Sequence, residues 1–179
     1  MARSRPINRS RSRGHSPGIA PLPCLLIALA ISACDGRKTQ PPSPTGPPAT
    51  LTVEVGGEPF ELELALDDAA RQKGLSDRAE IAADGGMLFV MPARQVQNFW
   101  MKDCLVPIDI IYLDPAGDVI ITHQMKPQPG APDRQLKEYS SKWDALFAIE
   151  LRGRTLDRLD ISKGDHIELP LTDLKRWRR

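Results

Sequence analysis

Residues 106–125 read VPIDIIYLDPAGDVIITHQM. VPIDIIYLD (106–114) and GDVIITHQM (117–125) flank Pro115-Ala116-Gly117 and read as a β-hairpin. On the first strand Pro107, Asp109, Ile111 and Leu113 share one face, and Ile108, Ile110 and Tyr112 share the other. Asp109 therefore sits among apolar neighbours whichever face points inward. A carboxylate in that setting needs a cation or several N–H donors.

Working outward, GGMLFVMP (85–92) is an all-apolar run between glycine and proline, which predicts a buried strand, and VQNFWM (96–101) predicts another. WDALFAIELRG (143–153) predicts a buried strand ending in glycine, and HIELPL (166–171) a closing strand. LTVEV (51–55) and PFELELAL (59–66) alternate apolar and acidic residues around Gly56-Gly57, as in a hairpin with one wet face. Asp67-Asp68 caps a short helix that ends at Gly74. Residues 76–86 read as a turn or short helix, and RTLDRLDI (154–161) as a short helix. The 126–141 stretch holds three prolines and reads as a loop of a length that is often functional. Strands dominate and do not alternate with long helices. The expected class is mainly β: an antiparallel β-sandwich or compact barrel with short helical inserts.

The whole chain has 179 residues, 41% of them hydrophobic but only 5% aromatic, so the core is mostly aliphatic. Its net charge of +1 hides opposite ends. Residues 1–33 carry five Arg and no acid. Residues 51–174 carry 13 Lys and Arg against 22 Asp and Glu, a net charge of −9. That surplus repels phosphate backbones, so nucleic acid is not an expected partner. The basic tail KRWRR (175–179) reads as a solvated, frayed end.

The basic start leads into CLLIALAISAC (24–34), an apolar run shorter than the roughly 20 residues of a membrane-spanning helix. Charge, a short apolar run and small residues at its end read as a secretory signal over 1–33. Ile31-Ser32-Ala33-Cys34 resembles the lipobox of bacterial lipoproteins, in which the Cys becomes the lipid-modified first residue. Asp35 after it resembles an inner-membrane retention signal of enteric-type lipoproteins. Residues 34–50 are rich in Pro, Ser, Thr and Gly and read as an extended linker after the lipidated Cys34. The expected localisation is an exported protein held to a membrane by lipid, facing the periplasm or the cell exterior. Cys24 would be removed and Cys34 acylated, so Cys104 alone remains in the domain, without a disulfide partner.

GLSDR (74–78), GGMLFVMP (85–92), NFWMKDCLVPIDIIYLD (98–114), YSS (139–141), ALFAIELRG (145–153) and ISKGDHIEL (161–169) stand in this order. Together they resemble the bacterial and archaeal family called domain of unknown function 192. The resemblance spans about residues 52–170 and implies a β-rich, often exported domain of no established reaction. Ser76 stands where the family commonly has Met, and Asp103-Cys104 where it commonly has Asn-Thr.

Arg78 and Lys102, from neighbouring motifs, are the expected partners of Asp109. The pairing reads either as a structural tie or as a ligand pocket with Asp109 at its centre. Trp100 and Met101 read as core or as a pocket wall that stacks on a sugar or grips an apolar group. Tyr139 and Ser141 border the 126–141 loop; Ser140-Ser141 caps a turn or meets ligand hydroxyls. Cys104 with His123 has no spacing that demands a nucleophile and base. His166 and Glu168 share a strand face, but two ligands do not make a metal site. No cofactor and no metal are expected.

The expected ligand site is thus Arg78, Trp100, Met101, Lys102, Asp109, Tyr139 and Ser141. The leading functional reading is an envelope-anchored ligand-binding or protein-interaction module. The alternative is an envelope hydrolase acting on glycan or peptide, with Asp109 as acid/base.

Overall fold

The computed structural model describes residues 46–179. The expected leader 1–33, the lipidation residue Cys34 and most of the 34–50 linker lie outside the described residues. The elements run β1 (Thr50–Val55), β2 (Glu58–Ala65), α1 (Asp68–Lys73), β3 (Gly85–Trp100), β4 (Ile108–Leu113), β5 (Val119–Met125), a single 3-10 turn (Asp133–Gln135), β6 (Glu138–Arg152) and α2 (Leu171–Trp177). The domain is mainly β. Its strands form one sheet in the order β1-β2-β3-β6-β4-β5.

Two predicted hairpins are present. Gly56 and Gly57 both take positive φ (59° and 79°) in a two-residue turn between Val55 and Glu58. That backbone matches the twist of the strands it joins and suits glycine. The second hairpin joins β4 to β5, and Asp114 Oδ1 accepts from the backbone N–H groups of Ala116, Gly117 and Asp118 at its turn. Helix α1 also follows its signals. Asp67 Oδ1 accepts from Ala70 N (2.8 Å), and the chain leaves the helix at Gly74.

The sheet departs from the antiparallel expectation at one place. β2 and β3 are parallel, joined through α1, so the sheet is mixed. β3 and β6 are the long strands, 16 and 15 residues, and they pair antiparallel. The two predicted strands at 85–92 and 96–101 are therefore one. Its ladder breaks between Val90 and Gln95, where Pro92 has no N–H to give. Ser141 mends a second irregularity: its Oγ accepts from Gln97 N (2.9 Å) and donates to Trp143 O (2.6 Å).

β6 also pairs with β4, and cross-strand partners point to the same face. Met87, Glu150 and Ile110 line up on one face, followed by Phe89, Ala148 and Tyr112. Leu88, Ile149 and Ile111 line up on the other, beside Leu151 and Asp109. Every residue of β4 is buried, so the centre of the sheet is covered on both sides.

Three C-terminal expectations are corrected. Residues 154–161 form successive turns and no helix, with Leu156 N held by Asp109 Oδ2 (2.7 Å) and Thr155 N by Arg152 O (3.2 Å). The predicted closing strand 166–171 is reduced to one bridge, Asp118 to His166; Ile167 and Leu169 are buried without a ladder. The basic tail is not frayed. Leu171–Trp177 form α2, Leu174 is fully buried, Arg178 Nη1 donates to Met91 O (3.1 Å) and Arg179 N to Leu66 O (2.9 Å). Leu171 and Trp177 pack against the core beside Leu174.

Gly86 sits where β3 meets β6 so closely that a Cβ would stand 2.3 Å from Glu150 O. Neither backbone can yield without breaking the ladder. Gly86→Ala is expected to destabilise the domain by about 3 kcal/mol, measurable as a lowered midpoint in urea unfolding.

Candidate functional site

On the Glu150 face of the sheet lies a cleft of about 350 Å³. Its lining includes Glu150, Phe89, Met91, Gln97, Phe99 and Trp100 from the strands, with residues 73–77 and 102–104 at the rim. Gly74 has φ 49° and ψ −136°, a backbone state open to glycine. A Cβ there would stand 3.3 Å from Phe89 Cζ and 3.7 Å from Glu150 Oε2, so its absence lets the rim lie close over the strands. The two rim segments are stitched together. Ser76 Oγ donates to Lys102 O (2.9 Å) and Asp77 N to Asp103 O (2.7 Å). Asp77 and Asp103 both adopt left-handed backbone (φ 62° and 54°), which aspartate tolerates better than most residues.

Glu150 is only 5% exposed, and its Oε2 has no hydrogen-bond partner among the described residues. Burial pushes its carboxyl up to about 8, against a smaller pull downward from the Arg78 charge. At neutral pH it is mostly the neutral acid. Gln97 offers a second buried orphan, its Nε2. Cys104 lies half-buried beside them. Burial first, and the Glu150 charge second, push its thiol up to about 11, so it is no ready nucleophile. His123 does not line the cleft; its Nε2 meets Ser140 O (2.9 Å), and its ring lies near those of Tyr112 and Tyr139. His166 is elsewhere, between Asp118 (2.8 Å) and Glu168 (3.3 Å).

The expected site residues separate. Trp100 and Lys102 line the cleft. Trp100 is half exposed, while Met101 is buried and faces an adjoining recess bounded by the 127–136 loop. Lys102 reaches that loop through Asp133 (2.5 Å). Arg78 forks onto Glu63 with bonds of 2.6 and 2.7 Å, which holds the Glu63 carboxyl below its usual range. Tyr139 and Ser141 serve the framework: Tyr139 O accepts from Tyr112 OH (2.6 Å), and Ser141 bridges the strand irregularity.

The expected pairing of Asp109 with Arg78 or Lys102 does not occur. Asp109 Oδ2 accepts from Leu156 N (2.7 Å), and burial raises its carboxyl more than the neighbouring backbone N–H groups of residues 154–156 lower it. Asp109 anchors the 154–156 turn. The reason is parity. Asp109 stands opposite Leu151, one residue out of phase with the Ile110–Glu150 pair, so it points to the opposite face from the cleft. The acid/base reading of Asp109 loses its geometric basis.

Sequence reasoning missed Glu150, Gln97 and the space beside Gly74. A usable signal existed for the first. Glu150 is the lone acid in ALFAIEL (145–151), as Asp109 is in its own apolar run.

Residues 51–169 match the family model of domain of unknown function 192, described as an uncharacterized ACR. The chain belongs to this family. All the cleft-lining residues fall within the matched DUF192 segment. Two solved structures share its fold. One, named as a candidate transcription regulator from Sinorhizobium meliloti, is 26% identical with a TM-score of 0.58, over 69% of this chain and 97% of that one. The other, a protein of unknown function from Novosphingobium aromaticivorans, is 28% identical with a TM-score of 0.58, over 67% and 84%. No curated protein matches this DUF192 chain.

Two outcomes follow for stability. Unfolded, Glu150 ionises near its ordinary value; folded, it holds its proton to about pH 8. Between these values the native state binds more protons, so stability falls as pH rises. Glu150→Gln is expected to flatten that slope and to be about 1–3 kcal/mol more stable than wild type at pH 8, checked by urea unfolding across pH 4–9. Asp109→Ala is expected to cost about 1–3 kcal/mol through the orphaned N–H of Leu156, seen in the same assay at pH 7.

Proposed function

We propose that this DUF192 protein is a ligand-binding module of the bacterial envelope, held to a membrane through lipid on Cys34, with its ligand seated in the cleft over Glu150. The observation that carries the reading is a carboxyl group buried among apolar side chains, with an unpartnered oxygen, lining an open cleft. Folding gains nothing from such a group. A buried polar atom without a partner costs about 1–3 kcal/mol, and a methionine or leucine would fill the same place at no such cost. Its presence makes sense where a ligand supplies the missing partner. Phe89, Phe99 and Met91 give that ligand an apolar bed, and Trp100 offers it a half-exposed indole at the edge.

The leader supports the location. A charged start, a short apolar run and Ile31-Ser32-Ala33-Cys34 have the layout of a lipoprotein signal. The Pro-rich segment to residue 50 then has the composition of a tether that would let the domain reach away from the bilayer.

Thermal unfolding of the full chain in detergent, with sugars, peptidoglycan fragments, small peptides and amines as probes, tests the cleft. A ligand at a hundred times its Kd adds about 2.7 kcal/mol, a rise in Tm of roughly 5–10 °C. Trp100→Ala is expected to reduce that rise with little change in the ligand-free Tm. A rise that survives both Trp100→Ala and Glu150→Gln undiminished places binding elsewhere and overturns the reading. Cell fractionation tests the anchor: wild type is expected with membranes, and Cys34→Ser in the soluble fraction or retained as an uncleaved precursor.

A further inference from the structure

We propose that the group this cleft receives is a protonated primary amine, seated against Glu150, with an acceptor oxygen of the same ligand on Gln97 Nε2. The inference deepens the reading of the cleft as a binding site and rests on it.

Charge pairing around the cleft leads to the amine. Each cation at its margin already holds an acid of its own: Arg71 with Asp68 (2.6 Å), Lys73 with Asp77 (2.5 Å) and Lys102 with Asp133 (2.5 Å). Arg78, the cation that acts on Glu150, is forked onto Glu63. Of the acids that line the cleft, Asp103 and Glu150 are in no salt bridge among the described residues, and Glu150 is the buried one. An acidic group in an apolar setting takes either a proton or a cation. The folded segment around it, with the docked basic tail included, carries 17 Lys and Arg against 22 Asp and Glu over residues 51–179, a net charge of −5 that still favours cations. Phe89, Phe99 and Trp100 line the same space, and aromatic rings favour ammonium groups over anions. Gln97 Nε2 can only donate, so it calls for an oxygen on the ligand and not for a second cation.

An amine and a neutral hydrogen-bonding ligand have opposite pH dependence. In the empty cleft Glu150 keeps its proton up to about pH 8. As the ammonium arrives, that proton leaves to solvent and the ammonium donates to the carboxylate. Affinity for the amine therefore rises as pH approaches 8 and levels off above it. A neutral ligand that accepts from the carboxylic acid weakens over the same interval. The groups facing Glu150 preserve this sign. Met87 and Ile110 are apolar partners across the strands, Cys104 and Tyr112 are both held neutral by burial and by the Glu150 charge itself, and Arg78 only lowers the midpoint.

The test is titration calorimetry on the full chain in detergent with two amines, Nα-acetyl-lysinamide and ethanolamine, each beside its N-acetylated neutral derivative, from pH 6 to pH 9. The lysine side chain stays protonated to about pH 10.4, so a change near pH 8 reports the protein. The expected result is binding of the amine and not of its acetylated form, with affinity rising by roughly 50-fold between pH 6 and pH 8. Glu150→Gln should weaken the amine at pH 8 at least tenfold and abolish the pH dependence. Trp100→Ala should weaken it while leaving the pH dependence in place, a result that loss of folding cannot imitate. The stronger of the two amines tells whether a lysyl side chain or a small amino alcohol is the better fit. Tighter binding of the neutral derivatives, with the opposite pH trend, overturns the amine and leaves the binding cleft standing. Absence of binding by either amine at pH 8 also overturns it, and the wider panel of the preceding section judges the cleft separately.

Discussion

Strand β6 is hydrogen-bonded along both edges, to β3 on one side and β4 on the other, and the placement of every chemically interesting group depends on the register of those two ladders. Side chains alternate along a strand, so a slip by one residue would exchange the two faces. In the observed register Glu150 joins Met87 and Ile110 beneath the cleft, while Leu151 joins Gly86 and Asp109 on the other face. Gly86 is what allows the approach: at this position the β6 backbone occupies the space of a side chain.

The domain thus contains two buried carboxyl groups with different solutions to the same electrostatic problem. Asp109 is held by the 154–156 turn, Leu156 N foremost, which is a structural use of an acid. Burial raises its carboxyl and the N–H groups of that turn draw it partly back. Glu150 has no such donors. With only the shared attention of Arg78, it retains a proton instead. The contrast separates a residue that holds the fold from one that is available to a ligand. It also explains why the cleft remains open: the rim is shaped by Gly74, by two left-handed aspartates and by bonds between loops, and nothing on it reaches down to satisfy Glu150.

Short-range features were legible because their physics is local. The turns at Gly56-Gly57 and at residues 114–118, the Asp67 cap, the Gly74 exit and the buried strands around 85–92, 106–114 and 143–153 all came from patterns a few residues long. The errors came from long-range substitution of partners. Residues 154–161 have helical composition, yet the segment forms successive turns tied to Asp109, 47 positions away, through Leu156 N. HIELPL alternates as a strand should, but finds only the single bridge to Asp118. The basic tail has every mark of a free end until Leu174 and the Met91 and Leu66 carbonyls are counted.

The candidate site divides in the same way. From the chain alone, Trp100 and Lys102 could be placed near a pocket, and a lone acid in an apolar strand could be recognised as needing a partner. The same sequence also suffices for the mainly β class and for DUF192 membership, since both depend on local periodicity and on motif order. Which acid faces the cleft could not be read there. Asp109 and Glu150 sit in equally apolar runs, and only the pairing of β4 with β6 decides that one meets backbone donors and the other an open cavity. Strand parity is a relation between segments, and the tertiary structure alone sets it.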